Sequence, residues 1–491
     1  THSRFAALSL LLLVGLLLVA AAPAAARPAN GQAQPGQNTP ISWQVQVDMP
    51  EDQAAFVRRT QANLQQGLSI SGASAKVAGS RLMLGGNNTI AALRTMLYHD
   101  AAPWLDLTAN DAEFKIELPA SQTPVVIVLQ SRPSTGYSWQ PSAESEGDPS
   151  LQITDLADQR SLNRAIGGPS SQSISVVNLS GQARTLVMQY RRAWEEPHDP
   201  GIRLNLSLPE NPGTLDLTDP FAPSVDASSA IKNLPTSKLG LPALPIGQSF
   251  PASYDSRAEG IVPPIRNQGA CGSCWAFGTT AAMEISIAKK GGGLTDLSEQ
   301  YLVNCNTAGW GCKGGLTASA YYTNKLGVKQ NTIGAVLESV LPYTAKDNAC
   351  PANYAKAYRA GSWDFLAGNG NRIAGTDAIK QAVLTYGSVL SAVCVDSEFR
   401  SYRTGVIRGS NGACNGGANH MVTIIGWDDV QQAWLIRNQW SAYWGQGGYA
   451  YINYDPTGKY SNIGMGASFI SMDAPAPTPT PTPKPPKAPK P

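Results

Sequence analysis

The stretch Gln268-Gly269-Ala270-Cys271-Gly272-Ser273-Cys274-Trp275 sets a cysteine where a turn gives way to an apolar run. Phe277, Ala281, Ile285 and Ala288 recur at helical spacing, and Gly291-Gly292-Gly293 stops the run after Lys289-Lys290. Cys274 therefore stands at a helix N-terminus, where the dipole and nearby N–H groups favour thiolate, the form that attacks carbonyl carbon. Acyl transfer by such a thiol needs a base, a group that holds the base, and donors for the developing oxyanion. Of the four histidines, at positions 2, 99, 198 and 420, only His420 shares the C-terminal half with Cys274. It heads a strand-like run, Met421 to Trp427, so its ring can be fixed and still reachable. Asn438 ends a second such run, where it can accept from the imidazole and orient it; Trp440 can cover that bond against water. Gln268 can offer its side-chain amide to the oxyanion together with the backbone N–H of Cys274. Trp440 and Trp444 also suit core positions, and Trp444 reads as one.

Composition sets limits on the function. The 491 residues exceed one ordinary core, so two or three folded units are expected. A net charge of +2 with 15% charged residues, and no basic patch interleaved with aromatics, gives no basis for nucleic-acid binding. All seven cysteines lie between Cys271 and Cys414. Three disulfides and one thiol is the natural partition of that odd number in an exported chain. Metal binding is the rival, but one histidine near the cysteines and no second Cys-x-x-Cys pair argue against it; neither metal nor cofactor is expected.

In chain order, residues 1–26 carry Arg4, an apolar run from Leu8 to Ala22, and Ala24-Ala25-Ala26 as a small-residue cleavage site. They read as a secretory signal peptide, with a retained anchor as the alternative, so a secreted, extracellular or cell-envelope location is expected. Residues 27–40 read as a flexible leader. Residues 41–105 read as a small α+β unit: a strand over Ser42–Val47, a helix over Glu51–Gln66, an apolar run Arg81–Leu84, and a second helix capped by Asn88. Short strands at Phe114–Leu118, Val125–Leu129, Ser173–Val177, Thr185–Tyr190 and Ile202–Leu208 make residues 106–208 a β-sandwich. Residues 209–247 are a Pro-rich joint that could be cut, 248–473 form the unit bearing Cys274, and 474–491 are a stiff Pro/Thr/Lys tail, a linker or a stalk for attachment to the cell envelope.

Four motifs in order, Cys271-Gly-Ser-Cys-Trp-Ala-Phe277, Leu297-Ser-Glu-Gln-Tyr-Leu-Val-Asn-Cys305, Gly311-Cys-Lys-Gly-Gly315 and Asn438-Gln-Trp440, resemble the papain family of cysteine peptidases over about residues 250–471. The separation of Cys274 and His420 also lies in that family's window of roughly 130–150 residues. The resemblance implies an α+β, two-lobed fold, with a helical lobe holding Cys274 and a β-barrel-like lobe holding His420 and Asn438. It implies a peptide or protein substrate in a cleft lined by Gly314, Gly315 and Trp440, and disulfides Cys271–Cys312 and Cys305–Cys350, which leaves Cys394–Cys414 by subtraction. Gln439 and Ser441 replace the serine and glycine usual around the tryptophan, and Leu316-Thr317 stand where the family begins its S2 wall.

The segments Pro133-Ser-Thr-Gly-Tyr-Ser-Trp139, Gly167-Gly168 and Arg192-Ala-Trp-Glu195 resemble the three loops of the chagasin-like inhibitors of papain-type peptidases, an immunoglobulin-like fold. The resemblance implies that Thr135, Gly136, Tyr137, Gly167, Gly168, Arg192 and Trp194 are inhibitory. Tyr137 and Trp139 are otherwise core aromatics of a sandwich that binds nothing. Together these readings lead to a secreted cysteine endopeptidase zymogen, restrained in cis or in trans by its own inhibitor-like domain. The alternatives are an inhibitor or binding protein with an impaired peptidase unit, and a transpeptidase using the same triad.

Overall fold

The computed structural model describes residues 40–48, 58, 73–89, 111–117, 125–159, 166–195, 202–209, 215–217, 249–323, 334–350, 354–368, 370–409 and 417–472. The expected signal peptide and tail, most of the leader and joint, and the 51–66 helix apart from Arg58 lie outside the described residues.

The described residues of the N-terminal half contain strands β1 (Pro40–Asp48), β2 (Ala73–Ala78), β3 (Arg81–Thr89), β4 (Asp111–Glu117), β5 (Val125–Ser131), β6 (Tyr137–Pro141), β7 (Leu151–Gln159), β8 (Ser170–Asn178), β9 (Arg184–Arg192), β10 (Ile202–Leu208) and β11 (Leu215–Leu217). They form a seven-stranded sheet, β2-β3-β1-β4-β10-β9-β6, and a four-stranded sheet, β11-β5-β8-β7. Along β10 every second residue, Ile202, Leu204, Leu206 and Leu208, is buried, and the first three pair in register with Tyr190, Met188 and Leu186 of β9. That period-two burial is what the sequence alternation predicts.

Three expectations change here. β1, β2 and β3, read as part of a separate unit, form one end of the seven-stranded sheet, with β1 antiparallel to β4. Asn88, read as a helix cap, lies in β3 opposite Ile41, where cross-strand pairing overrides its local capping tendency. Tyr137 to Trp139, read as the end of a loop, lie in the edge strand β6, with Trp139 opposite Tyr190, so the preceding loop ends at Gly136.

The C-terminal half contains β12 (Ser253–Asp255), helix α1 (Cys274–Lys289), α2 (Glu299–Cys305), β13 (Ser362–Phe365), α3 (Thr376–Tyr386), β14 (Val389–Val393), α4 (Ser397–Ser401), β15 (Val406–Ile407), β16 (His420–Asp428), β17 (Ala433–Arg437), β18 (Tyr449–Asn453) and β19 (Met465–Ser471). One lobe is helical. Residues 274–287 of α1 are buried on every side, as expected of a helix apolar all round. It packs with Tyr301, Leu302, Trp310, Tyr321 and Tyr322. Ser298 caps α2 by accepting the Tyr301 N–H.

The other lobe is an eight-stranded sheet, β13-β19-β14-β16-β17-β18-β15, with β12 on β16. Its core holds Trp427, Trp434, Phe399, Phe469 and Trp444. β16 lies between β14 and β17; its first residue, His420, pairs with Val393 of β14, and the pairing with β17 begins at Thr423. Disulfides Cys271–Cys312 and Cys305–Cys350 tie the helical lobe together; each such bridge is typically worth about 2–5 kcal/mol. Cys394 is disulfide-bonded, and Cys414 lies outside the described residues. Among the described residues no helix is long and apolar enough to cross a membrane.

Candidate active site

Cys274 is the first residue of α1 and keeps its thiol. Ser273, at the N-cap, does not cap the helix with its side chain; its hydroxyl bonds the Tyr343 hydroxyl, which in turn donates to Gln268 O. The positive end of the α1 dipole is thus left acting at the sulfur.

His420 begins β16 and Asn438 directly follows β17, so the β16–β17 pairing brings them together: His420 Nε2 lies 2.8 Å from Asn438 Oδ1. The same Oδ1 accepts the Gln439 N–H at 2.9 Å, which fixes the orientation of the asparagine amide. His420 Nε2 must therefore be the donor, and in the neutral ring the lone pair is on Nδ1, the atom a base needs. Nδ1 is buried without a hydrogen-bond partner in this closed state. Burial drives the imidazole pKa down to about 3, against the opposing pull of the Asn438 bond, so the ring is held neutral. Trp440 lies over it at 4.9 Å between ring centres and is fully buried. Trp444 stacks on Phe399 in the core, as the sequence suggests.

Gln268 is buried, with its side-chain N–H donating to Cys271 O at 2.8 Å and its Oε1 without a partner. A second amide hydrogen remains for an oxyanion. Gly314 and Gly315 follow a tight turn closed by Gly311, with Gly314 at φ +107. A Cβ on Gly315 would lie 2.6 Å from the Trp275 ring, so only glycine fits.

The loops of the N-terminal half meet this constellation. Ile166 forms an antiparallel bridge with Gly315, whose N–H donates to Ile166 O at 2.9 Å. Gly167 N–H donates to Asn419 O at 3.1 Å. A Cβ on Gly167 would come within 3.0 Å of Cys274 Sγ and 2.5 Å of Gly272 O, so the backbone itself covers the thiol. Gly168 follows, buried. Trp440 Nε1 donates to Ser134 O at 2.8 Å, and Trp194 stacks on Trp440 at 5.3 Å and 13°. Gly136 packs against both tryptophans.

Arg192, 1% exposed, joins the halves: its Nε donates to Thr135 O, and its two terminal nitrogens reach Glu195, Asn267 Oδ1 and Gly269 O. Arg132 adds a bond to Ala270 O and Arg400 an ion pair with Asp155. Thr135 and Tyr137, expected in the cleft, are engaged within their own half: Thr135 Oγ1 donates to Arg132 O, and Tyr137 stacks on Tyr190 beneath Arg192. Ser134, Arg132 and Asn419 are the contacts sequence reading missed. Ser134 sits inside the first loop motif and Asn419 beside His420, so adjacency was the available signal.

The departure at Gln439 has a chemical consequence. Its side-chain N–H donates to Met421 O at 2.8 Å, which turns the amide nitrogen toward His420 Nε2 at 3.3 Å. The positive end of that amide then faces a ring nitrogen that already carries a hydrogen, which disfavours imidazolium. Of the charged groups on the elements around the ring, Glu398 on α4 accepts the Arg408 and Gly409 N–H groups, Arg400 pairs with Asp155, Arg437 on β17 donates to Pro264 O, and Glu284 on α1 accepts the Leu297 N–H. Gln439→Ser in the C-terminal unit alone should raise the His420 pKa and move the alkaline limb of kcat/KM to higher pH, as a pH–rate profile would show. Ser441, where glycine is usual, adopts φ +70.

Residues 250–470 match the Papain family cysteine protease model, and residues 119–208 match the Chagasin family peptidase inhibitor I42 model, which starts later than the expected boundary at 106. Zingipain-2 of Zingiber officinale is 34% identical over 41% of this chain and 86% of its own length. A cathepsin L-like proteinase of Phaedon cochleariae is 37% identical over 40% of this chain and 59% of its own. Among solved structures, the bromelain protease from Ananas comosus in complex with the E64 inhibitor is 28% identical, with 45% of this chain and all of that one covered at a TM-score of 0.39. A thiol at a helix N-terminus, an asparagine-held imidazole, a family model over residues 250–470, and a relative matched over most of its length lead to one assignment: the chain belongs to the papain family of cysteine proteases.

Proposed function

We propose that this chain is the precursor of a secreted cysteine endopeptidase, held shut in cis by an immunoglobulin-like, chagasin-type sandwich whose inhibitory loops lie within residues 106–208. In the opened enzyme Cys274 attacks the substrate carbonyl, His420 takes the thiol proton through Nδ1 and returns it to the leaving amine, and Asn438 fixes the ring. Gln268 and the Cys274 backbone N–H stabilise the oxyanion. The substrate backbone pairs with Gly315 on one side and Asn419 on the other, and Trp440 keeps water from the His420–Asn438 bond. The described disulfides suit an oxidising compartment, which supports export.

The observation that carries this reading is the Ile166–Gly167 backbone, bonded to Gly315 and Asn419 across the thiol of Cys274. Deleting residues 106–208 should release hydrolysis of a fluorogenic peptide, and Cys274→Ser should abolish it. Unchanged hydrolysis after the deletion, in dilute and in concentrated samples, would exclude the restraint. Cleavage yielding mainly amine-captured product when an amine is added would favour transpeptidation instead.

A further inference from the structure

Ile166 and Gly167 lie in the cleft as an added strand, with Gly315 N–H on the Ile166 carbonyl and Asn419 O on the Gly167 N–H. This is how a substrate backbone is gripped, and it lays the Gly167 backbone against the nucleophile, where a Cβ would come within 3.0 Å of Cys274 Sγ. A chain held this way should be cut. What differs is the Gly167 carbonyl. Its oxygen accepts from the hydroxyl of Ser134 at 3.2 Å, and Ser134 is itself fully buried between the two loops. The Gln268 amide meanwhile donates to Cys271 O. Attack by a thiolate builds negative charge on the carbonyl oxygen, and that charge must meet the amide. An oxygen tied to Ser134 starts from the wrong place.

Given the autoinhibited reading above, we propose that the Ser134 hydroxyl is the positioning group that makes the Ile166–Gly168 loop an inhibitor and not a substrate. The first loop guards the second by holding its carbonyl off the Gln268 donor. Ser134 is well fixed for this: its own carbonyl takes the Trp440 indole N–H, and Gly136 turns back at φ +79 to close the loop. With the hydroxyl removed, the ordinary reaction becomes available at this bond. Cys274 sulfur bonds to the Gly167 carbonyl carbon, the bond to Gly168 nitrogen breaks, and that nitrogen leaves as an amine with the proton His420 took from the thiol. Water then hydrolyses the thioester to the Gly167 carboxylate and restores the thiol.

The test uses the full chain. Ser134→Ala precursor incubated near neutral pH and followed by mass spectrometry should be cut between Gly167 and Gly168 at least about tenfold faster than the unaltered precursor, in line with loss of one buried hydrogen bond. Adding Cys274→Ser should stop the cut. Ser134→Thr, which keeps a hydroxyl, should remain intact at that bond and controls for misfolding. The inference is overturned if the alanine variant stays uncut there, whether the cleft remains closed or is merely opened, as read by rapid labelling of Cys274 with a thiol-directed epoxide. It is overturned as well if the threonine variant is cut as fast as the alanine one. Failure of the autoinhibited reading has a different signature: the unaltered precursor would then be labelled as fast as the peptidase unit alone.

Discussion

Arg192→Glu should turn a silent precursor into an active peptidase. Arg192 is buried, bonded to Thr135 O and Glu195 on its own side and to Asn267 and Gly269 on the other, and its guanidinium lies over Tyr137. Replacing it by glutamate sets a buried carboxylate against the Thr135, Asn267 and Gly269 oxygens, and an uncompensated buried charge typically costs about 3–5 kcal/mol. The guanidinium is shared between the halves, so much of that cost falls on the closed arrangement. The closed-to-open ratio should drop by two to three powers of ten, at about 1.4 kcal/mol for each. Fluorogenic peptide hydrolysis by the intact chain, its length checked by mass spectrometry, measures this. A variant that folds and stays silent would remove Arg192 from the latch.

The second large effect belongs to the chemistry. In the peptidase unit freed of the N-terminal half, His420→Ala should lower kcat by more than about 10⁴-fold, as loss of a triad base does. Gln268→Ala should lower kcat by roughly 10²–10³-fold with KM little changed, because its amide would act only on the charge formed in the transition state. Stopped-flow detection of acyl-enzyme separates the two. A Gln268→Ala variant that raises KM alone would reassign the residue to ground-state binding.

How far the sequence revealed this site depended on whether the information was local. Cys274 could be read because turn, thiol and helix are contiguous, and His420 because so few histidines compete for the role. Asn438 follows from the end of a strand-like run, and the β16–β17 pairing puts it on the ring. The motif loops of the N-terminal half were legible as loops, and the resemblance implied an inhibitory role, but the contacts each one makes were not legible. Gly167 covers the thiol with its backbone, which no side-chain pattern announces, and Ser134 acts through a hydrogen bond to a residue in another loop. Strand β7 was missed because it is an edge strand whose exposed positions, Gln152 and Thr154, dilute the apolar signal. Asn88 misled because a good capping residue is also tolerated in a strand once β1 is paired with it. Gln439 was visible as a departure from pattern; only its bond to Met421 O shows which way its amide points.

The most direct measurement is the rate at which a thiol-directed epoxide labels Cys274 in the intact chain, taken across a wide range of protein concentration and again after the 209–247 joint is cut and the halves separated. Occlusion in cis predicts slow labelling that does not depend on concentration before the cut, and fast, stoichiometric labelling of the isolated peptidase half afterwards. Equal rates before and after separation would contradict it.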